Sequence, residues 1–284
     1  MSTPTPTPSP ARTQSLVRRH ALISFFVLTY AVAWLLWAPL FIFGDRVPGR
    51  LAFVLLLLGS LVPSTMGVLF VALLRGRSGV RILFGRLLHA RIGLFWYLAV
   101  VALAVPALLA VWVSTLLGGP TPVVVMTIPA IIVSFLFSIF PGSAVGEELG
   151  WRGFALPRLQ ARHSALAASL IIGAVWGIYH FPLFLLGSPI RPLALFLPFA
   201  IGCVIMSIFY TWMYNGTGGS LLIVVLLHAT TNLPLTVVYA PLGERAVPVF
   251  WLLDALLAII AAVLIARTGA ATLSRVRGRQ TETP

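Results

Sequence analysis

Residues 51–74, LAFVLLLLGSLVPSTMGVLFVALL, contain no charged side chain. A helix rises about 1.5 Å per residue, so a run of this length can cross the roughly 30 Å hydrocarbon layer of a bilayer. Inside that layer every backbone polar group must be paired within the chain, which a helix achieves segment by segment. The run also lacks the alternation of a strand. This stretch therefore predicts a transmembrane helix.

Similar apolar runs recur along the whole chain, in which 60% of the residues are hydrophobic and only 9% are charged. A soluble domain carries about 25% charged residues, so the composition excludes a soluble globular fold. We predict an all-α, polytopic transmembrane helical bundle of about eight spans. The predicted spans are 22–43, 51–74, 93–117, 123–145, 165–187, 193–213, 217–239 and 247–267.

The net charge of +13 comes from 19 arginines without a lysine, and they gather between the apolar runs. This distribution is the positive-inside pattern of a membrane protein. With a cytoplasmic N-terminus, 15 of the 19 arginines lie on the inner side, which predicts that both termini are cytoplasmic. We expect the chain in a membrane, the bacterial plasma membrane, with the lipid bilayer as a partner. Nucleic-acid binding is not expected, because no folded polar domain carries a basic patch.

One membrane domain is expected, spanning residues 16–269 between a disordered N-terminal tail, 1–15, and a disordered basic C-terminal tail, 270–284. No removable signal peptide is predicted, since no small-residue cleavage site precedes the first span. The only cysteine, Cys203, lies in an apolar run and offers neither a disulfide nor a cysteine metal motif. Residues 75–91 are basic with interspersed apolar residues, which fits either an amphipathic helix on the headgroups or an ordinary loop.

Two adjacent acidic residues, Glu147 and Glu148, lie in the stretch PGSAVGEELGWRGFALPRLQ, residues 141–160. A charged side chain at the centre of a bilayer costs about 2.5–3.5 kcal/mol on insertion scales, so such residues indicate function. Arg152 follows Glu148 by four residues and can pair with it on one helix face. A purely structural ion pair would leave Glu147 unexplained. We predict that Glu147 lies in the first turns of a new helix, with its carboxylate free for chemistry.

Two histidines, His180 and His228, also fall inside apolar spans. His228 precedes Asn232 by one helical turn in HATTN, so both side chains project from one helix face. His180 follows Trp176 by one turn in WGIYH, and the indole can shield and orient it. A lone buried histidine is more often structural, but two of them with a carboxylate pair in so apolar a chain favour a site.

The spacing along the chain brings Glu147 and His180 to a common depth. Each lies about 16.5 residues from the polar turn at 163–164. Two antiparallel helices joined there would place both side chains at the same level of the membrane, because each helix rises about 1.5 Å per residue.

A buried carboxylate, two imidazoles and an amide together favour activation of water. The carboxylate, near a histidine, can take a proton from water, and the resulting hydroxide can attack an amide carbonyl. His228 with Asn232 can supply donors to the oxyanion, and Arg152 can support Glu148. No serine or cysteine lies in a recognisable nucleophile context, so a covalent acyl-enzyme is not favoured. Two His and two Glu are also acceptable zinc ligands, although HExxH is absent and the ligands would come from three helices.

The motifs EELGWRG, WGIYH and HATTN resemble those of the CPBP family of CAAX-processing and bacteriocin-processing membrane proteases, also called the ABI or type II CAAX prenyl endopeptidase family. The family pattern is EExxxR, FxxxH and HxxxN. The residues that match are Glu147, Glu148 and Arg152, then His180, then His228 and Asn232. Trp176 stands where the family commonly has Phe. The resemblance covers residues 143–232.

This resemblance implies an intramembrane glutamate-dependent endopeptidase acting on a peptide or lipidated protein substrate. It implies that Glu147 with His180 activates water, that His228 and Asn232 stabilise the oxyanion, and that Glu148 supports the site with Arg152. Many bacterial members have no prenylated substrate, so the family name leaves the substrate open. No cofactor is expected. The alternatives are a zinc-dependent version of the protease, a transporter, and a non-catalytic binding or immunity protein.

Overall fold

The computed structural model of this chain describes residues 20–122, 124, 126–186 and 192–274. These residues form helices and turns, and none of the described residues lies in a β-strand. The all-α prediction is therefore confirmed. The predicted tail 1–15 and residues 275–284 lie outside the described part of the chain.

The first half of the chain begins with a long helical pair and leads into the segment that carries the two glutamates. Its helices are α1 Ala21–Phe43, α2 Gly49–Leu87, α3 Leu94–Ala102, α4 Val105–Leu116, α5 Ile128–Ile139, α6 Ser143–Gly150 and α7 Leu156–Gln160. A π-helical turn, Trp151–Ala155, joins α6 to α7. As predicted, a new helix begins a few residues before Glu147.

The second half of the chain carries the two site histidines, His180 and His228. Its helices are α8 Ala165–Tyr179, α9 Phe181–Leu185, α10 Phe196–Gly216, α11 Leu221–Pro234 and α12 Val247–Thr268. A π-helical turn, Leu235–Tyr239, and a 3-10 segment, Ala240–Ala246, connect α11 to α12. Ser164 accepts a hydrogen bond from the backbone N–H of Ala167 at 3.2 Å and so caps α8, which confirms the predicted turn at 163–164.

Seven helical stretches among the described residues are long and apolar enough to cross a membrane. The last of them, Leu221–Thr268, has 48 residues. A straight helix of that length would measure about 72 Å, more than twice the thickness of the hydrocarbon layer. Gly243, with φ of 58°, breaks the helix between α11 and α12, so this stretch contains two of the predicted spans. The chain is an integral, multi-pass membrane protein, and the orientation of its termini stays a prediction.

The basic segment after the second span is helical. Helix α2 bends at Gly76, with φ of 63°, and continues to Leu87. Arg77 and Arg81 are exposed on this part, whereas Leu83 is buried against the bundle. The segment up to Leu87 is therefore a helix and not an ordinary loop, and its position on the lipid headgroups stays a prediction.

Glycines bring α6 into direct backbone contact with α2. A Cβ atom on Gly150 would lie 2.2 Å from the carbonyl oxygen of Pro63, and one on Gly146 would lie 2.8 Å from that of Ser60. Small residues four apart on a helix permit such close approach in membrane bundles. Because of this contact, the helix that carries the two glutamates is buried in the protein.

The described fold extends beyond the predicted end of the domain at residue 269. The carbonyls of Ala270 and Ala271 accept hydrogen bonds from the N–H groups of Leu166 and Ala165, at 3.0 and 2.9 Å. Leu273 is buried against the core. Residues 270–274 therefore cover the start of α8, because they satisfy N–H groups that the first helical turn leaves unpaired.

Candidate active site

The structure brings all the predicted site residues together. Helix α6 carries Glu147 and Glu148, the π-helical turn carries Arg152, His180 directly follows α8, and α11 carries His228 and Asn232. Four of these line a cavity of about 740 Å³, namely Glu147, His180, His228 and Asn232. The other two are buried behind it, so the site has a layer facing the cavity and a supporting layer.

The side chains of Glu147 and His180 face each other at the wall of the cavity. The Oε1 atom of Glu147 lies 3.7 Å from Nε2 of His180, which confirms the predicted common depth. Nδ1 of His180 lies 2.9 Å from the carbonyl oxygen of Trp176. Since a carbonyl can only accept, this contact assigns the proton to Nδ1 and leaves Nε2 of the neutral ring with its lone pair toward Glu147.

The second oxygen of Glu147 is occupied, contrary to the expectation of a free carboxylate. Its Oε2 accepts hydrogen bonds from the indole N–H groups of Trp176, at 2.5 Å, and Trp151, at 3.3 Å. The side chain is only 1% exposed, and a carboxylate buried that far requires hydrogen-bond partners. The expectation was wrong for Oε2 because Trp176 comes from a different helix. Only Oε1 is turned to His180.

Glu148 lies in the supporting layer and has two partners. Its carboxylate accepts from Nη1 of Arg152 at 2.9 and 3.1 Å and lies 2.8 Å, through Oε1, from Nδ1 of His228. Arg152 also donates to the hydroxyl of Ser207 at 3.0 Å and lies 4.1 Å from the ring centroid of Tyr210. Glu148 and Arg152 are fully buried, so this pair is held in fixed geometry.

His228 and Asn232 converge on one hydroxyl group. Nε2 of His228 lies 3.4 Å from Oγ of Ser143, and Nδ2 of Asn232 donates to the same oxygen at 3.1 Å. Because Nδ1 of His228 donates to Glu148, its Nε2 accepts from Ser143 when the ring is neutral and donates when the ring is protonated. The carboxylate of Glu148 orients the ring through Nδ1, as the acidic residue of a catalytic triad does.

Sequence reasoning missed Ser143. It precedes Glu147 by four residues and therefore lies on the same face of α6, which is a signal that the sequence does contain. Ser143 is half-buried and lines the cavity. Its hydroxyl marks a point within reach of both the imidazole and the amide, where another oxygen atom can also bind.

The side chains with metal-binding atoms are divided between the two layers. Glu148 and Nδ1 of His228 are engaged with each other, and Oε2 of Glu147 is held by two indoles. Among the described residues, no three His, Cys, Asp or Glu side chains are placed to hold one metal ion. Catalytic zinc sites use three protein ligands, whereas the pair formed by Glu147 and His180 supplies two. This donor set does not fit a zinc ion.

Comparison with known proteins identifies the same region. Residues 128–234 match the family described as "Type II CAAX prenyl endopeptidase Rce1-like". A CAAX prenyl protease 2 from Methanococcus maripaludis is 25% identical over 228 residues, covering 74% of this chain and 82% of the relative. The matched segment runs from the start of α5 to the end of α11 and includes every residue of the site described above. The resemblance carried by the three motifs is confirmed, because the segment that contains them is similar to the Rce1-like, type II CAAX prenyl endopeptidase family.

Proposed function

We propose that this chain is an intramembrane endopeptidase that hydrolyses peptide bonds with water activated by Glu147. The observation that carries the proposal is the 3.7 Å separation of Glu147 Oε1 and His180 Nε2 at the wall of the cavity. This distance is too long for a direct hydrogen bond and suits a water molecule bound by both atoms. Two acceptors would orient the water, leaving its oxygen lone pair directed at a substrate.

The first chemical step is attack of that water on the scissile carbonyl. Glu147 takes a proton as the water oxygen bonds to the carbonyl carbon, and the C=O electron pair moves to oxygen. The proton then passes to the nitrogen of the leaving amine as the C–N bond breaks. His180 holds the water in line, because its own Nδ1–H is fixed by the carbonyl of Trp176.

His228 and Asn232 stabilise the oxyanion that forms in this step. Both already point at the hydroxyl oxygen of Ser143, so they are arranged for an oxygen acceptor before substrate binds. Asn232 donates through Nδ2, and His228 donates through Nε2 in its protonated form. Glu148 and Arg152 hold His228 in that orientation from behind.

The cavity and its surroundings support one class of substrate. The cavity lies among membrane-spanning helices and is lined largely by apolar side chains, among them Phe53, Leu56, Leu57, Phe137, Leu183 and Phe184. Such a wall accepts an apolar peptide or a lipid chain and excludes bulk water. The relative named CAAX prenyl protease supports the same class. We therefore infer that the substrates are membrane-associated or lipidated peptides, cut in the predicted bacterial plasma membrane.

The proposal is tested by peptide cleavage with the purified protein in detergent. Quenched peptides with and without a C-terminal lipid are incubated with the wild type and with His180→Ala. We expect cleavage by the wild type and a cleavage rate lower by about 10²–10⁴-fold in the variant, because the water loses one of its two hydrogen-bond acceptors. Cleavage at the wild-type rate by His180→Ala would overturn the assignment. A transporter or a non-catalytic binding protein would cleave nothing in either form.

A second prediction concerns Trp176, the residue at which this chain departs from the usual Phe of that family. Trp176→Phe keeps an aromatic ring beside His180 and His228 but removes the N–H that binds Glu147. We expect a fall in kcat of about 10–100-fold with little change in KM, since a hydrogen bond to a charged group contributes about 1.5–3 kcal/mol. Trp112→Phe is the matched control, because the ring of Trp112 is exposed on α4. This variant should retain full activity. Equal kcat values for Trp176→Phe and wild type would show that the indole does not position Glu147.

A third prediction separates the glutamate mechanism from the zinc alternative. We propose that no metal ion takes part, because only two unoccupied donors face each other at the cavity. Incubation with EDTA or phenanthroline should leave the cleavage rate unchanged, and added Zn²⁺ should not raise it. Loss of activity that Zn²⁺ restores would establish the zinc-dependent version instead. Metal analysis of the purified protein gives an independent check.

A further inference from the structure

A second carboxyl group lines the same cavity, and one of its oxygen atoms has no hydrogen-bond partner among the described residues. Asp254, on α12, is only 4% exposed, and its Oδ2 atom is buried without a hydrogen bond. It faces the cavity that also contains Glu147, His180, His228 and Asn232. Among the described residues that line this cavity there is no lysine or arginine. The described lining therefore provides an acidic group in the cavity wall and no arginine or lysine to balance it.

Asp254 lies close to the reacting groups along α10. A Cβ atom on Gly202 would lie 3.0 Å from Oδ1 of Asp254, so the absence of a side chain there leaves room for the carboxyl group. Phe199, three residues earlier on α10, packs against His180 with ring centroids 5.2 Å apart. Three residues correspond to about 4.5 Å of helix rise, whereas an extended peptide advances about 3.3 Å per residue. Asp254 thus lies within a few substrate residues of the bond to be cut.

We propose that Asp254 is a specificity-determining residue that binds a cationic side chain, lysine or arginine, of the substrate peptide close to the scissile bond. This inference rests on the proposed function. A carboxyl group buried without a partner costs free energy, and a substrate ammonium or guanidinium supplies both the missing donors and the missing charge. The apolar stem of lysine or arginine matches the aliphatic and aromatic wall around it.

The same feature acts against substrates with a negative charge at that place. A substrate carboxylate beside Asp254 offers neither a hydrogen-bond donor nor a positive charge, so its burial there costs free energy that no new contact offsets. Specificity is a difference between affinities, and this side chain favours one class of substrate over another. The chain should therefore prefer peptides with an internal basic residue over peptides that place an acidic group in this part of the cavity.

The test uses three quenched peptides that are identical except for lysine, norleucine or glutamate at one position near the cleaved bond, scanned over neighbouring positions. With the wild type we expect one position at which kcat/KM for lysine exceeds that for norleucine about tenfold or more, with glutamate lowest. In Asp254→Asn the ratio of lysine to norleucine should fall to about one. Asp254→Glu, which keeps the charge, should retain a preference for lysine. Asp45→Asn is the matched control and should keep the wild-type ratio, because Asp45 is exposed on the 3-10 turn Gly44–Arg46.

A binding measurement keeps this inference separate from the proposed function. The same peptides, labelled and titrated by fluorescence anisotropy against wild type and Asp254→Asn, report affinity without requiring cleavage. Absence of cleavage by the wild type would overturn the peptidase proposal, and the binding titration would then decide the role of Asp254 alone. A lysine preference that is lost in Asp254→Asn supports the cation site. Equal treatment of lysine and norleucine by the wild type, or a preference that survives Asp254→Asn, overturns it.

Discussion

Replacing Glu147 by Gln is expected to reduce kcat/KM for peptide cleavage by about 10²–10⁴-fold while leaving the protein folded. The amide has the same shape as the carboxylate, and its oxygen can still accept the indole N–H groups of Trp151 and Trp176. It cannot take a proton from water at neutral pH. The expected loss of kcat/KM therefore measures the role of Glu147 as the base, because the packing of α6 is unchanged.

The measurement compares initial rates of the purified wild type and Glu147→Gln on one quenched peptide, with thermal unfolding of both in the same detergent. Glu244→Gln is the matched control, because Glu244 is exposed on the connection to α12. This variant should cleave the peptide at the wild-type rate. We also expect Glu147→Gln to bind the peptide with nearly the affinity of the wild type. Undiminished cleavage by the variant would refute the assignment of Glu147 as the base.

Arg152→Met is expected to produce the largest loss of stability, about 3–5 kcal/mol in the free energy of unfolding. Arg152 is fully buried, bridges Glu148 and Ser207, and stacks on Tyr210. Methionine fills much of the space but leaves the carboxylate of Glu148 without its strongest partner in a medium that solvates charge poorly. A buried charge that has lost its partner is among the most costly defects in a protein.

Unfolding curves in detergent, by intrinsic fluorescence or circular dichroism, measure this loss. Arg245→Met, at an exposed position, is the matched control and should change stability by less than about 0.5 kcal/mol. The double variant Glu148→Met with Arg152→Met should be more stable than Arg152→Met alone, since it removes the orphaned carboxylate together with its partner. An Arg152→Met protein as stable as the wild type would show that the pair is not required to hold the fold.

The predicted helices agree with the structure because hydrogen bonding inside a bilayer is local. Each span must satisfy its own backbone groups, so apolar length alone predicts where helices lie. The break before Glu147 and the turn at 163–164 follow from local signals as well, a Pro-Gly pair and a capping serine. With both fixed, the common depth of Glu147 and His180 is a consequence of helix rise.

The partners of the site residues could not be predicted in the same way. Trp176 donates to Glu147 across 29 residues of sequence, and Ser143 meets His228 across 85. Motif spacing identifies which residues share a helix face but gives no information about which face of another helix lies opposite. The expectation of a free carboxylate was wrong at Oε2 because Trp176 comes from another helix, and the contact of Ser143 with His228 was missed for the same reason.

Sequence alone is sufficient to predict the membrane bundle, its main helices, and the set of polar side chains that lie within it, because each of these depends on residues within a few turns of one another. How those side chains are connected is visible only in the folded chain. The fold turns one oxygen of Glu147 to His180 and the other to two indoles, joins Glu148 to both Arg152 and His228, and leaves one oxygen of Asp254 without a hydrogen-bond partner among the described residues. The physical reason is that hydrogen bonds and charge pairs between helices depend on rotation and depth to within an ångström, and close contacts such as that of Gly150 with Pro63 set both.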